Sequence, residues 1–193
     1  NISWVTSAVL GTRNSVQFIG FANDRDTINF ATHQYKNRQV DIDEFNSYSS
    51  EVKYFQKYTA FGFDHNLVTG VRYVNNNLHR RQIGQGTTGT DYDLSVSAQG
   101  FGRDVNFKTN NIAVFAENEF KISSAFSITP GLRLENGESE MTGVITYKPN
   151  QDITKTIKHS FLLAGITTQY KINENTKIYG GWAQAYRPVI FAD

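Results

Sequence analysis

In the segment Phe126-Ser-Ile-Thr-Pro-Gly-Leu-Arg-Leu134 the side chains alternate. Phe126, Ile128, Pro130, Leu132 and Leu134 fall on one face, and Ser127, Thr129, Gly131 and Arg133 on the other. A period of two marks a strand with one apolar and one polar face. Leu67-Val-Thr-Gly-Val-Arg-Tyr73 repeats the pattern, and both stretches run Gly, apolar, Arg, apolar, as equivalent positions in successive hairpins would. Residues 4–10, 16–21, 48–59, 111–122, 161–170 and 177–187 are further strand candidates, rich in Val, Ile, Tyr, Phe and Thr. The reading is about eight strands.

The connections constrain the fold more than the strands do. Residues 11–15, 60–66, 123–125 and 173–176 are short and rich in Gly, Asn, Asp and Ser, the residues of tight turns. Between them lie long polar stretches at 22–45, 79–110 and 135–159, so that short and long alternate. In an up-and-down sheet alternate connections share an end. One end of this sheet therefore carries tight turns and the other long loops, the asymmetry of outer-membrane barrels. A soluble sandwich has no physical reason to keep it.

Arg72 and Arg133 sit mid-strand opposite the apolar residues, and Glu51 and Lys53 alternate with Val52 and Tyr54. Charges are costly to bury in a small dry barrel but are at home in a wide, wet lumen. They would also be at home on the solvated face of a one-sided soluble sheet. Trp4, Tyr73, Tyr170, Tyr179 and Trp182 are candidates for aromatic girdles at the membrane interfaces.

Composition excludes several alternatives. A net charge of +1 gives no electrostatic basis for a nucleic-acid partner. The absence of cysteine excludes disulfide scaffolds and thiolate chemistry. Apolar runs last about four residues, far short of the ~20 needed by a membrane-spanning helix. The four histidines lack the i, i+4 spacing of a zinc site, and no Gly-x-Ser-x-Gly elbow or isolated acidic pair suggests an enzyme. Gly84-Gln-Gly-Thr-Thr-Gly89 spells a dinucleotide fingerprint without the strand–helix context that makes one work, and reads as a loop. Asp41-Ile-Asp43-Glu44 and Asp24-Arg-Asp26 lack the glycine and closing glutamate of a calcium loop and read as solvated carboxylates.

A cationic group remains: Arg80, Arg81 and Gln82 directly after a strand, Arg103 across the same loop, and Arg25 and Arg38 in the preceding long loop. Guanidinium groups take carboxylates in a bidentate fork, which suits an anionic chelate. The same arginines could instead pair with Asp26, Asp91, Asp93 or Asp104, or meet lipopolysaccharide phosphates at the rim.

Asn111-Ile-Ala-Val-Phe-Ala-Glu-Asn-Glu-Phe120, a short turn and Phe126-Ser-Ile-Thr-Pro-Gly-Leu-Arg-Leu-Glu135 resemble the paired barrel strands of TonB-dependent outer-membrane receptors. Tyr179-Gly-Gly-Trp-Ala-Gln-Ala-Tyr-Arg-Pro188 resembles the strand that leads into a loop in that family. His65-Asn-Leu-Val-Thr-Gly-Val-Arg-Tyr73, with His79-Arg-Arg-Gln82 and the loop 84–93, is most similar to the ferric citrate receptor branch. The resemblance spans nearly the whole chain. It implies an all-β, antiparallel up-and-down transmembrane barrel of about twenty-two strands, of which residues 1–193 are about a third, plugged by an N-terminal domain and energised by the TonB complex. The plug, a signal peptide and the C-terminal strands are expected to lie outside this stretch.

The expected function is active import of a ferric chelate, ferric citrate or another siderophore, across the bacterial outer membrane. The expected partners are that chelate, outer-membrane lipid and lipopolysaccharide, and TonB through the plug. No resident cofactor is implied, since iron enters only as part of the cargo. Import of a glycan or of cobalamin, or a structural role as a small outer-membrane barrel, are the alternatives.

Overall fold

The computed structural model describes residues 1–146, 148 and 153–186. Seven strands follow one another: β1 (Ile2–Gln17), β2 (Gln39–Ala60), β3 (Phe63–Gln85), β4 (Phe101–Lys121), β5 (Phe126–Ile145), β6 (Lys155–Lys171) and β7 (Lys177–Ala183). Each pairs antiparallel with the next, giving one open meander in the order β1 to β7. Residues 61–62, 122–125 and 172–176 close one end, and residues 18–38 and 86–100 connect the strands at the other, the end at which β5 stops and β6 begins. The predicted alternation of tight turns and long loops is therefore present. Arg187 and Pro188, the end of the motif noted in the last strand, lie outside the described residues.

One predicted boundary is corrected. Residues 11–15 were expected to turn between two strands, yet they lie inside β1, in register with Phe45, Glu44, Asp43, Ile42 and Asp41. Gly11 faces Phe45, whose ring occupies the space a Cβ would need, and Arg13 binds Asp43. Cross-strand pairing thus overrides local turn propensity. The long loops are correspondingly shorter than read, because β2, β3 and β4 extend beyond their predicted ends.

The turn at residues 61–62 is as tight as a hairpin allows. Phe61 has φ 54° and Gly62 φ 79°, the two positive values of a type I′ turn, whose twist matches that of the flanking strands.

Register sorts the side chains onto two faces. On one, the apolar residues of neighbouring strands form a continuous belt: Val52 and Tyr54, Val71 and Tyr73, Ile112 and Val114, Leu132 and Leu134, Leu162 and Ile166. These residues are exposed; Leu132 is 53% accessible and Leu162 57%. On the other face Glu51, Lys53, Arg72, Glu117, Arg133 and Glu135 share the lateral rows with Phe115 and Gly70. Among the described residues only Val40, Val105, Ala113 and Ile153 are buried apolar groups. So small a core could not hold a soluble domain of this length together, and a belt of this extent is a liability in water. Both facts are explained if the belt faces hydrocarbon and the backbone groups are satisfied strand to strand.

The charged face is the inner one, and its repeated glycines serve packing. Gly70 pairs with Phe115, and a Cβ there would lie 2.6 Å from the ring and from the Val52 carbonyl. Gly11 and Gly84 stand opposite Phe45 and Phe101 in the same way. An aromatic ring laid over a cross-strand glycine covers the bare backbone. The Arg133 guanidinium lies 5.7 Å from the centre of the Phe115 ring and bonds Glu135 at 2.5 Å. The echo Gly-x-Arg in the sequence thus places both glycines and both arginines on the inner face, although Gly131 stands opposite Glu117 and not a ring.

Strands β2 to β5 are 20 to 23 residues long, about twice what a tilted strand needs to cross a bilayer. The surplus lies on the long-loop side, where the outer face turns polar at Asn75, Asn77, His79 and Arg81 in β3 and at Asn110, Lys108 and Asn106 in β4.

Candidate ligand-facing site

Beyond the apolar belt the inner face carries a groove of about 410 Å³ lined by Arg13, Asp43, Phe45, Ser47, Leu78 and Arg80, among others. Asp43 sits at its centre, buried. Its Oδ2 accepts a 2.5 Å bond from Arg13 Nη2, and its Oδ1 lies 3.4 Å from Arg80 Nε. The Arg80 side chain is only 15% accessible, whereas Arg13 is 70% accessible. Both arginines are thus anchored on Asp43, Arg80 within the wall and Arg13 with most of its side chain exposed to the groove. Two residues beyond Val105, which pairs with Arg80, Arg103 donates from Nη1 to Gln82 Oε1 at 3.0 Å.

A bulge shapes this end of the sheet. The register between β2 and β3 shifts between Val40 and Ile42, Ile83 takes φ 59°, and its amide donates to Asp41 Oδ1 at 2.9 Å. Asp41 also accepts from Gln17 Nε2 at 3.0 Å and from Gln39 Nε2 at 3.1 Å. Its carboxylate satisfies the amide that the bulge takes out of the ladder. Asp41 and Asp43, expected to be solvated loop carboxylates, are instead strand residues engaged in the ladder's polar face. Val40 and Ile42 alternate with them in the sequence, which was the available signal.

The structure separates the five arginine and glutamine candidates. Arg80, Gln82 and Arg103 lie together near the groove. Arg81 points to the opposite face, where its Nη2 binds Glu44 Oε1 at 2.8 Å beside His79, which in turn bonds Asp104 at 2.6 Å. Arg38 is buried within the loop layer: Nη2 binds Asp26 at 2.7 Å, Nε donates to the Gly89 carbonyl at 2.9 Å, and the guanidinium lies over Tyr35. With the Arg38 and Gly86 backbone bonds across residues 86–87, it ties loop 18–38 to loop 86–100. Gly84 and Gln85 finish β3 and Gly86 to Gly89 open that loop, so the glycine string serves a strand end and no helix follows it. Arg13 was missed by the sequence reading because it lay in an assumed turn.

Of the girdle candidates, Trp4, Tyr73, Tyr170 and Trp182 share the outer face with the belt. Tyr179 pairs with Gln169 and so lies on the inner face, which corrects its assignment. Among the described residues no His, Asp or Glu group has the arrangement of a metal site.

An open antiparallel meander with an apolar outer belt, a charged inner face and loops at one end is a section of a transmembrane barrel wall. Residues 1–193 match the family described as TonB dependent receptor-like, beta-barrel, and the chain belongs to that family, whose members are outer-membrane transport receptors of Gram-negative bacteria and not enzymes. Among solved structures the chain is similar to the ferric citrate transporter FecA in its unliganded form, with TM-score 0.69 and 19% identity over 93% of this chain and 23% of that one. It is similar also to the ferric-catecholate import receptor Fiu from E. coli K12 in its open form, with TM-score 0.58 and 15% identity over 97% of this chain and 32% of that one. At these identities the likeness is one of fold, and the chain spans between 23% and 32% of the length of those structures. No curated protein matches it.

Proposed function

We propose that the protein containing this barrel section is a TonB-dependent importer of an anionic ferric chelate, ferric citrate or another siderophore, and that Arg13, Arg80, Gln82 and Arg103 form part of the anion's seat. The observation that carries this reading is the groove in which two guanidinium groups converge on Asp43, on the inner face at the loop end. Two guanidinium groups on one carboxylate leave a net positive charge at the groove, and Arg13, 70% accessible, has further N–H donors with which to take a carboxylate of the cargo. The family membership supports the transport role, and the printed functions of FecA and Fiu support an iron chelate as cargo.

In this reading the belt sits in outer-membrane lipid, with lipopolysaccharide around the loop end. The TonB complex acts through a plug, and iron is cargo rather than a resident cofactor. Arg38 and Arg81 serve the loop layer and the outer rim. The test is binding of radiolabelled ferric citrate to whole cells that express the full-length parent, with a ferric catecholate, a glycan and cobalamin as competitors. Saturable binding displaced by an iron chelate supports the reading. Absence of saturable chelate binding by cells that display the receptor, or binding displaced by a glycan or cobalamin and not by an iron chelate, overturns it.

A further inference from the structure

Between Arg133 and the turn end, the inner face of β5, β6 and β7 changes character. Register sets three lateral rows there: Gly131, Gly165 and Ala183, then Thr129, Thr167 and Gly181, then Ser127, Gln169 and Tyr179. All nine are neutral, and the first row is too small to fill the space above it. The result is a trough made of two hollows of about 500 and 420 Å³ that share Thr129 and Thr167. Glu51, Lys53, Glu117 and Arg133 flank the upper hollow with balanced charge. Of the residues that line the lower one only Glu119 is charged, and its Oε2 accepts from Asn66 Nδ2 at 2.5 Å.

The polar groups of the trough are unengaged. Among the described residues the hydroxyls of Ser127, Thr129, Thr167 and Tyr179 and the side-chain amide of Gln169 have no hydrogen-bond partner. Each can donate and accept, so together they offer an oxygen-rich solute a succession of neutral bonds, each weak and exchangeable with water. At its lower mouth the trough ends on two cations. Lys171 stands directly opposite Lys177 on the same face, and neither has an ion-pair partner among the described residues. Like charges so placed cost stability, which points to an anion that meets them. From Arg133 to Lys171 the trough covers about 25 Å of strand.

We propose that this trough is the stretch of wall along which the hydrated anionic chelate passes to the turn end, handed from hydroxyl to hydroxyl and drawn out by Lys171 and Lys177. Passage requires contacts weak enough to release, and the neutral rows meet that need where the ionic side chains of β2 to β4 would hold an anion or repel it. The glycines leave the depth and the hydroxyls replace part of the solute's water. This track rests on the transport reading above and lies on other strands than the arginine groove, which belongs to β1, β2 and β3.

The test uses cells that display the full-length receptor and measures surface binding and uptake separately, with radiolabelled ferric citrate or, where the parent binds it instead, the ferric catecholate. A Cβ at Gly165 lies 3.4 Å from Ala183 Cβ, an ordinary contact, so a larger side chain there fills the trough and leaves the ladder in place. Gly165→Phe binds the chelate as wild type does and takes it up at about a tenth of the rate or less. Gly165→Ala, which fits, and Ser49→Phe, on the inner face of β2 outside the trough, keep wild-type uptake. Thr129→Val with Thr167→Val preserves volume, so its fold is safe, and it slows uptake by about three- to tenfold, the equivalent of one neutral hydrogen bond. Wild-type uptake in the folded Gly165→Phe or double Val variant, equal slowing in Ser49→Phe, or loss of binding together with uptake overturns the track alone. Absence of saturable binding of either chelate by displayed wild-type receptor overturns the transport reading and the track with it.

Discussion

Arg80 and Arg81 are neighbours in β3 yet hold neighbouring carboxylates of β2 on opposite faces of the wall: Arg80 Nε lies 3.4 Å from Asp43 and Arg81 Nη2 2.8 Å from Glu44. A strand sends successive side chains to opposite sides, so two adjacent arginines cannot grip one ligand. On the proposed function, Arg80→Ala combined with Arg13→Ala weakens ferric citrate binding to whole cells by ten- to a hundredfold, about the loss of one or two charge-assisted hydrogen bonds. Arg81→Ala leaves binding within about twofold of wild type, since an exposed pair contributes at most ~1 kcal/mol. An equal loss in both variants would remove the inner-face groove from consideration.

Phe61 occupies the left-handed region in the tightest hairpin, with φ 54°, and is 97% exposed. Its ring packs against nothing that would offset the strain of a bulky side chain there, about 1–2 kcal/mol. Phe61→Asn therefore stabilises the folded barrel by about 1 kcal/mol, read as a higher urea midpoint for unfolding from lipid vesicles. A lower midpoint would show that the phenyl ring makes a contact in the membrane that outweighs the strain.

His65 is buried near the turn end, between Tyr58 at 5.1 Å and Phe120 at 5.7 Å between ring centres. Its Nδ1 accepts from the Lys121 amide at 3.1 Å, which leaves Nε2 to donate to the Ala60 carbonyl at 3.0 Å. The ring thus fixes the β2–β3 turn to the end of β4 in its neutral tautomer. His65→Ala leaves a buried amide and carbonyl unpaired and a cavity between two rings, a cost of about 2–4 kcal/mol. Hydrogen exchange at the Lys121 amide should accelerate in that variant, and unchanged protection would refute the role.

Asp93, in loop 86–100, has its carboxylate held below the usual aspartate range, first by the Ser95 backbone amide at 2.9 Å and then by the Ser95 hydroxyl. A carboxylate whose pKa is depressed on folding contributes order above its unfolded value and loses that contribution as pH falls through the folded one. Protection of the Ser95 amide, corrected for intrinsic exchange, should hold at about pH 6 and decline only below about pH 4. Asp93→Asn should make that protection independent of pH across the same interval. A decline of equal size in the Asn variant would assign it to another group.

Alternation along 126–134 and 67–73, and the succession of short and long connections, are properties of neighbours in the chain, and they sufficed to predict an antiparallel barrel wall with a polar inner face. The limits of the strands were less legible. Gly11 to Ser15 has the composition of a turn, and only the opposing Phe45 and Asp43 make it strand. Tyr179 reads as well for a girdle as Trp182 does, and only pairing with Gln169 assigns its face.

What the sequence determined by itself was the period of the chain and therefore which residues can share a face. The tertiary structure decided which of them meet. Arg13, Asp43 and Arg80 come from three strands, with 30 residues separating the first two, and Arg38 joins Asp26 to a loop beyond β3. Such contacts depend on register, and in a sheet a slip of one residue would exchange the inner and outer faces of every strand it touched.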